Sequence, residues 1–204
     1  MSLRHINILK KMIRVFENPE KTASLDKYAY NNKYLLNECA KEVQPQLELK
    51  PEIVVFGKKR NQQRNVGFFS DESVGYEYSK KLMKSKQLSN NLNLLLNDVN
   101  NLLKSNFNGI LINEYENGMN YISAHSDDEK NLDPSGVVTL SFGAQRMFKI
   151  RNKSDKKEVH REFTEHSTIL VMRGNFQSLY THEIPIEKKI TNTRISFTFR
   201  YHTK

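Results

Sequence analysis

The stretch RISFTFR, residues Arg194–Arg200, decides the fold class of this chain. Successive side chains of a β-strand point to opposite faces, so one face of this strand is cationic and hydroxylated and the other is apolar. The polar face carries Arg194, Ser196, Thr198 and Arg200, and the apolar face carries Ile195, Phe197 and Phe199. A buried arginine needs an anion, and a carboxylate can accept two parallel hydrogen bonds from it. The pattern predicts a strand between a core and an anionic ligand; the alternative is an edge strand with solvated arginines.

Short runs of β-branched and aromatic residues continue upstream of this strand. They are separated by turn-forming clusters and cover residues 110–115, 137–142, 146–151 and 168–172. The first half of the chain instead shows helical periodicity, which predicts helices over residues 3–16, 26–43 and 88–103. Helices followed by antiparallel strands predict an α+β fold, with the helices packed on one face of a sandwich or jelly roll.

Composition and charge describe a globular chain with a basic balance. Hydrophobic residues make up 37% of the chain, charged residues 27%, and the net charge at pH 7 is +9. Such a charge is typical of proteins that bind nucleic acid, although a lysine-rich codon bias would also produce it. Cys39 is the sole cysteine, which favours a reducing compartment. We expect an intracellular monomer (in the cytoplasm or nucleus, or a viral protein in a host cell) without a membrane span or a secretory signal.

A candidate metal site begins at His125-Ser126-Asp127. On an extended chain the side chains at positions i and i+2 project from the same face, so the imidazole and the carboxylate can reach one ion. His182 is the candidate third ligand. Two histidines and one carboxylate form the facial triad of non-haem iron oxygenases, which leaves positions open for a bidentate co-substrate and dioxygen. A histidine two residues before an aspartate is common by chance, and the alternative for His125 is an ordinary surface histidine.

Five motifs of the second half occur in a fixed order. They are Asn113-Glu114-Tyr115, the segment from His125 to Glu129, Ser141-Phe142-Gly143 followed by Arg146-Met147-Phe148, the segment Gly174–Pro185 with Gln177, Tyr180 and His182, and Arg194–Arg200. In order and spacing they resemble the AlkB-type Fe(II)- and 2-oxoglutarate-dependent nucleic-acid dioxygenases, over roughly residues 50–201. Two positions depart from the family pattern: Ser196 stands where asparagine is frequent, and Tyr180 where tryptophan is frequent.

The resemblance implies a double-stranded β-helix, or jelly-roll, core with N-terminal helices and a loop region that covers nucleic acid. It implies that Fe(II) is bound by His125, Asp127 and His182. It implies that 2-oxoglutarate is held by Asn113, Tyr115, Arg194, Ser196, Thr198 and Arg200, with dioxygen as the second co-substrate. The expected organisation is an N-terminal helical extension over residues 1–50, a nucleotide-recognition segment with its supporting helix over 51–109, and the jelly-roll core over 110–204, all in one compact domain.

The middle of the chain resembles the vertebrate-type DNA-repair branch of that family. This resemblance implies an aromatic wedge at Val55-Phe56-Gly57-Lys58, a stacking platform at Tyr76-Glu77-Tyr78, and contacts of Asp128 and Glu129 with the base. Extruding a base costs a few kcal/mol, which a wedge and a stacking platform offset. Phosphate contacts are expected for Lys58, Lys59, Arg60 and Arg64. The alternative is a solvated basic loop with a core phenylalanine.

The resulting prediction is an oxidative demethylase of N-alkylated bases, such as N1-methyladenine or N3-methylcytosine, in DNA or RNA. One alternative is a 2-oxoglutarate-dependent enzyme that hydroxylates or demethylates a protein side chain. Another is a catalytically inert nucleic-acid-binding relative, and a remote one is a redox-inert structural metal site.

Overall fold

The computed structural model describes residues 12–55, 57–78, 81–127 and 136–201. The strands are β1 (Ile13–Glu17), β2 (Ala23–Ala29), β3 (Glu52–Val55), β4 (Lys58–Asn61), β5 (Asn65–Phe69), β6 (Gly75–Tyr78), β7 (Lys81–Lys84), β8 (Gly109–Tyr115), β9 (Ile122–His125), β10 (Val137–Gly143), β11 (Met147–Asn152), β12 (Glu158–Phe163), β13 (Thr168–Gly174), β14 (Tyr180–Ile184) and β15 (Arg194–Arg200). The helices are α1 (Lys33–Val43), α2 (Asn90–Leu103) and the single turn α3 (Phe176–Leu179), and a 3₁₀ turn covers Gln44–Gln46.

Two antiparallel sheets form the body of the molecule. The larger sheet has seven strands in the order β1-β2-β13-β10-β15-β8-β5, and the smaller has four in the order β12-β11-β14-β9. The strands are short and the connections cross between the sheets, as in a jelly roll. The α+β prediction with a jelly-roll core is confirmed. Two hairpins, β3–β4 and β6–β7, form separate two-stranded sheets.

The strand β15 lies inside the larger sheet, between β10 and β8, and all seven of its residues are buried. Its apolar face packs with α1 and α2 in one hydrophobic cluster, to which Phe197 and Phe199 belong. A second cluster fills the space between the sheets and includes Leu170, Phe148 and Phe176. The apolar side chains of RISFTFR therefore face the core beneath the helices, and its polar side chains face the interior between the sheets. The edge-strand alternative is wrong.

The two longer helices begin at polar caps. Asn32 accepts a hydrogen bond from the backbone N–H of Leu35, and Ser89 accepts one from that of Leu92. These caps satisfy backbone donors that the first turn leaves without a partner. Leu92, Leu95, Leu96 and Val99 of α2 are buried in the same cluster as residues of α1 and the larger sheet, as the helical periodicity of residues 88–103 predicts. Among the helices that the structure describes, none is long and apolar enough to cross a membrane.

The N-terminal part of the chain differs from the prediction. Residues 3–11 of the first predicted helix lie outside the described residues, and Ile13–Glu17 is a strand, so the helix is wrong there. Tertiary packing explains this, because Phe16 meets Phe176 and Tyr180 edge-on, with ring centroids 6.4 and 5.3 Å apart. An apolar spacing of three or four residues over so short a window does not distinguish a helix from a strand.

The predicted helix over residues 26–43 is correct only for its second half, because Ala23–Ala29 is a strand that pairs with β13. Asp26 within this strand is fully buried. Its two carboxylate oxygens each accept a hydrogen bond of 2.9 Å, one from Arg14 Nε and one from Arg173 Nε. A buried carboxylate needs such partners, and they come from both neighbouring strands. Of the expected helical extension over residues 1–50, the described part from residue 12 onwards forms two strands of the larger sheet, one helix and a 3₁₀ turn.

Candidate active site

The predicted metal ligands come together where β9 pairs with β14. His125 ends β9 and lies directly opposite His182 in the register of the two strands. The two imidazole centroids are 4.3 Å apart. Asp127 follows two residues after His125, and one potential ligand atom of each of the three residues lies within 4.8 Å of the others. The structure thus brings together the three residues that the sequence proposes as ligands, and the pairing of β9 with β14 explains how His182, 55 positions after Asp127, joins the site.

The carboxylate of Asp127 is buried and ionised. Arg200 Nη2 donates a hydrogen bond to Oδ1, and His182 Nε2 lies 3.4 Å from Oδ2. Burial alone would raise the pKa of Asp127, but the charge of Arg200, with smaller contributions from both histidines, outweighs burial and holds this pKa well below its usual range. The carboxylate is therefore in the charged form that coordinates a cation.

Both histidines are neutral at physiological pH. Burial lowers the pKa of His182 to about 3, and the nearby His125 acts in the same direction. Burial also lowers the pKa of His125. His125 Nδ1 lies 2.9 Å from the carbonyl oxygen of Ser123 and donates to it, because a carbonyl can only accept. This bond fixes the tautomer and leaves the lone pair on Nε2, which is the arrangement of a metal-binding imidazole.

A cavity adjoins the three ligands and is lined by the second set of predicted residues. All six lie in its wall: Asn113, Tyr115, Arg194, Ser196, Thr198 and Arg200. They come from neighbouring strands, since Arg194 is paired with Tyr115 and Ser196 with Asn113 in the register of β15 and β8. Four of the six residues lie on β15 and the other two on β8, so these two strands form this wall.

Arg194 supplies a buried positive charge to the cavity. Its side chain is 2% exposed, its Nη2 donates to Ser141 Oγ at 2.9 Å, and its guanidinium lies 5.4 Å from the ring centre of Tyr115. Burial lowers the pKa of Arg194 to about 10, so the group remains charged at neutral pH. In the described part of the chain no hydrogen-bond partner reaches Nε of Arg194, although this atom is buried. It fits a cavity that a carboxylate ligand completes.

Arg200 and Ser196 have neighbours that refine the prediction. Arg200 contacts the metal ligand Asp127, so it positions that ligand as well as lining the cavity. Ser196 Oγ is 2.7 Å from Thr139 Oγ1, and this hydroxyl pair extends to Thr198 at 3.5 Å. The serine thus preserves a hydrogen-bonding wall at the position where the family often has asparagine.

Arg64 is buried, contrary to the prediction from the sequence. It was expected on the surface, in contact with phosphates, but it is 6% exposed and lines the cavity. Its Nε donates to Asn113 Oδ1 at 2.7 Å. The signal in the sequence is its place directly before β5, whose five residues are all buried. The sequence also did not predict the apolar part of the wall, where Phe148 stacks on His182 with ring centroids 5.2 Å apart and Met172 lines the same cavity.

The predicted nucleic-acid contacts are described only in part. Gly57 and Lys58 are exposed on the β3–β4 hairpin, where Gly57 has a φ of +73° that favours glycine. Tyr76 and Tyr78 lie on β6. Phe56, Asp128 and Glu129 lie outside the described residues. The roles of these residues in substrate binding stay predictions.

Comparison with known proteins agrees with this geometry. The model of the 2OG-Fe(II) oxygenase superfamily matches residues 26–200. The chain is 29% identical over 174 residues to human DNA oxidative demethylase ALKBH2, a match that covers 81% of this chain and 67% of that protein. It is 30% identical over 174 residues to the Bos taurus ALKBH2, covering 81% of this chain and 63% of that protein.

A third relative is the alpha-ketoglutarate-dependent dioxygenase alkB homolog 3 of Bos taurus, 32% identical over 136 residues, with 61% of this chain and 47% of that protein covered. The chain thus spans about two thirds of the length of the two ALKBH2 proteins. The solved structure of OsALKBH1 shares the fold, with a TM-score of 0.54 at 15% identity over 93% of this chain and all of that one. The chain belongs to the AlkB-type family within the 2OG-Fe(II) oxygenase superfamily, and it is a dioxygenase that uses Fe(II), 2-oxoglutarate and dioxygen.

Proposed function

We propose that this enzyme is an oxidative demethylase that repairs N-alkylated bases in nucleic acid. The observation that carries the proposal is the presence of His125, Asp127, His182 and the buried Arg194 around one cavity, in a chain whose relatives include DNA oxidative demethylases. The three metal ligands support an oxidation reaction, and the similarity to these relatives supports a nucleic-acid substrate.

The cavity residues would each have a defined task in this reaction. Arg194 would bind a carboxylate of 2-oxoglutarate through its guanidinium fork, as arginine does with planar anions. Asn113 would contribute an amide N–H donor. The orientation of this amide is fixed, because its oxygen already accepts a hydrogen bond from Nε of Arg64. Arg200 keeps Asp127 ionised and in place. The apolar side chains of Leu111 and Phe148 would exclude water from the reacting atoms.

The bound Fe(II), with 2-oxoglutarate and dioxygen, would supply the oxidation of an N-methyl group to an N-hydroxymethyl group. One oxygen atom of dioxygen enters the succinate that forms as carbon dioxide leaves, and the other enters the hydroxymethyl group. The carbon–nitrogen bond then breaks, its electron pair returns to the base nitrogen, and formaldehyde is released as the hydroxyl proton departs. The base regains its pairing edge without loss of a ring atom.

Charge on the β3–β4 hairpin supports a polyanionic substrate. Lys58, Lys59 and Arg60 are exposed there, and the whole chain carries a net charge of +9. Exposed cations of this kind bind phosphates and position the enzyme without reading sequence. We propose N1-methyladenine and N3-methylcytosine as substrates, because a methyl group on the pairing edge breaks the pair and lowers the cost of extruding the base.

Release of formaldehyde from methylated oligonucleotides tests the proposal. We expect release from oligonucleotides that contain N1-methyladenine or N3-methylcytosine, together with a mass loss of one methylene group and an equal amount of succinate. Unmethylated oligonucleotides of the same sequence serve as controls. Vigorous succinate formation in the enzyme with no mass change in any methylated DNA or RNA would instead favour a protein side chain as the substrate. Nucleic-acid binding without any 2-oxoglutarate turnover would favour an inert relative.

A further inference from the structure

The short helix α3 reaches the metal site through one side chain, that of Gln177. Its Oε1 accepts a hydrogen bond of 2.9 Å from the backbone N–H of Asp127. We propose that Gln177 is a positioning residue that holds the backbone of Asp127 and thereby orients the carboxylate for the metal. This role concerns the metal site alone and does not depend on the identity of the substrate.

The geometry gives the amide of Gln177 a single orientation. A backbone N–H can only donate, so Oε1 must face Asp127. The other end of the amide, Nε2, lies 3.3 Å from Met172 Sδ, a weak acceptor. Gln177 is 6% exposed and Asp127 is 6% exposed, so the bond is shielded from water. Both ends of the side chain are therefore occupied, and a flipped amide would leave a buried N–H facing another donor.

The turn that carries Gln177 is itself held in place. The backbone N–H of Asn175 donates to the carbonyl of Thr22 at 2.8 Å, which fastens the turn to the β1–β2 connection. The N–H groups of Ser178 and Leu179 both donate to the carbonyl of Asn175, at 3.1 and 3.0 Å. The side chain of Gln177 thus extends from a fixed support.

The same turn leads directly into the strand that carries the second histidine. Tyr180 caps α3 and begins β14, and His182 follows two residues later. Gln177 and Asp127 are 50 residues apart in the chain, and their hydrogen bond adds a second link beside the pairing of β9 with β14 between the two segments that carry the ligands. One rigid turn would therefore fix the position of His182 and that of the Asp127 backbone, and with them the relative position of two of the three ligands.

Asp127 would then be held from two directions. Its carboxylate contacts Arg200 and His182, and its backbone contacts Gln177. Charge attraction brings the carboxylate into the site but does not fix its angle, because a charged pair tolerates a range of geometries. A hydrogen bond to the backbone restricts the rotation of the residue. Groups that orient metal ligands in this way contribute about 10- to 100-fold to metal affinity.

Three substitutions separate the hydrogen bond from the packing. Gln177→Met keeps the length of the side chain and removes the acceptor, whereas Gln177→Glu keeps an acceptor oxygen and Gln177→Asn moves it out of reach. Ser178→Ala is the matched control, since Ser178 is exposed on the same turn. Mn(II), which does not react with dioxygen at such sites during the assay, serves as the metal probe, and electron paramagnetic resonance measures the free ion.

We expect Gln177→Met and Gln177→Asn to weaken Mn(II) binding by about 10- to 100-fold, Gln177→Glu to restore most of the affinity, and Ser178→Ala to match the wild type. At saturating Fe(II), the substitutions should change the KM for 2-oxoglutarate by a smaller factor than they change the Mn(II) dissociation constant. Equal losses in Gln177→Met and Gln177→Glu would overturn the proposal, because packing would then explain both. Wild-type Mn(II) affinity in a folded Gln177→Met protein would overturn it as well.

A measurement on the wild-type protein keeps the proposal testable if the substituted proteins do not fold. The amide hydrogen of Asp127 should exchange with solvent far more slowly than that of an unprotected amide, in the metal-free protein as well as with Mn(II). Exchange at the unprotected rate under native conditions would show that the bond to Gln177 is not formed, and the proposal would fail. None of these measurements uses nucleic acid, so their outcome is independent of the demethylase proposal.

Discussion

The guanidinium of Arg194 lies 5.4 Å from the ring centre of Tyr115, its direct partner across β15 and β8. A second guanidinium, that of Arg146, lies 5.6 Å from the same ring. The two arginines have different surroundings. Arg146 Nε is paired with Glu187 at 2.9 Å, whereas in the described ranges no carboxylate is paired with Arg194. Arg146 is thus neutralised by a carboxylate of the protein and Arg194 is not, which supports the proposal that Arg194 binds a carboxylate of the co-substrate.

Arg194→Ala should raise the KM for 2-oxoglutarate by about 100-fold, because a hydrogen bond to a charged group contributes about 1.5–3 kcal/mol. Arg194→Lys should recover only part of the affinity, since lysine lacks the two-pronged guanidinium. Succinate formation at increasing 2-oxoglutarate concentrations measures both constants. An unchanged KM in Arg194→Ala would place the residue outside the co-substrate site.

Arg146→Ala should destabilise the protein without a direct effect on the co-substrate. The side chain is fully buried and donates to the carbonyl oxygens of Asn117, Asn120 and Pro185 as well as to Glu187. We expect a loss of about 3 kcal/mol, the lower end of the range for a buried ion pair, because Glu187 keeps an uncompensated charge but is itself 21% exposed. Unfolding in urea gives the free energy. The exposed Arg161→Ala is the control, and a loss below about 1 kcal/mol for Arg146→Ala, the usual value for an exposed ion pair, would contradict the assignment.

Asp127→Ala should abolish both metal binding and succinate formation. The carboxylate is one of three ligands, and its loss also leaves the buried Arg200 without this partner. Asp155→Ala is a suitable control, because that carboxylate is 45% exposed on a turn far along the chain from the site. Mn(II) binding and succinate formation are measured on both proteins. Wild-type turnover in Asp127→Ala would show that the metal ligands are wrongly assigned.

The site was predictable from the sequence because its strands carry side chains at fixed spacing. The alternation of Arg194–Arg200 and the pair of His125 and Asp127 need only the geometry of an extended chain. The third ligand, His182, could not come from spacing alone, since its approach depends on the pairing of β9 with β14. The family motifs supplied that link.

The failures have a common physical cause, which is tertiary pairing. The sequence predicts helices at β1 and at the end of β2 because apolar residues there recur at spacings that a helix and a strand both allow. The pairing of β1 with β2 and of β2 with β13 decides for strands. The sequence predicts Arg64 on the surface, because charged residues are seldom fully buried. Its burial depends on the acceptor Asn113, 49 residues away, which local sequence does not reveal. Gln177 was noticed as part of a motif, but its contact with Asp127 is likewise a property of the fold.

The metal-free protein should lose stability as the pH falls from 7 towards 4. The pKa of His182 is about 3 in the folded protein against a usual value of 6.5, so the unfolded chain binds the additional proton over this interval. The stabilisation is present above pH 6.5 and declines below it, by at most about 1.4 kcal/mol per pH unit for each proton. Asp127, whose pKa is lowered, adds a loss only below its unfolded value of about 4. Urea unfolding at pH 7, 6 and 5 gives the change in the free energy of unfolding with pH. This change should be smaller in His182→Gln than in the wild type. Parallel slopes for the two proteins would mean that His182 is protonated in the folded state.

The salt dependence of nucleic-acid binding should distinguish the hairpin cations from Arg64. Lys58, Lys59 and Arg60 are exposed, although Lys59 also meets Glu52 at 3.0 Å. Each phosphate contact adds about 0.9 to the slope of log affinity against log salt on duplex DNA, because it releases condensed cations. Lys58→Ala or Arg60→Ala should therefore reduce the slope by about 0.9.

Arg64→Gln should leave that slope unchanged, because the guanidinium is buried in the cavity wall and its Nε is engaged by Asn113. Fluorescence anisotropy of a labelled duplex at a series of potassium chloride concentrations gives the slope for each protein, with metal and 2-oxoglutarate held constant. An equal reduction in Arg64→Gln would return this residue to the phosphate-binding surface. Binding that is indifferent to salt in the wild type would remove the electrostatic support for a nucleic-acid substrate, because phosphate contacts cannot form without releasing cations.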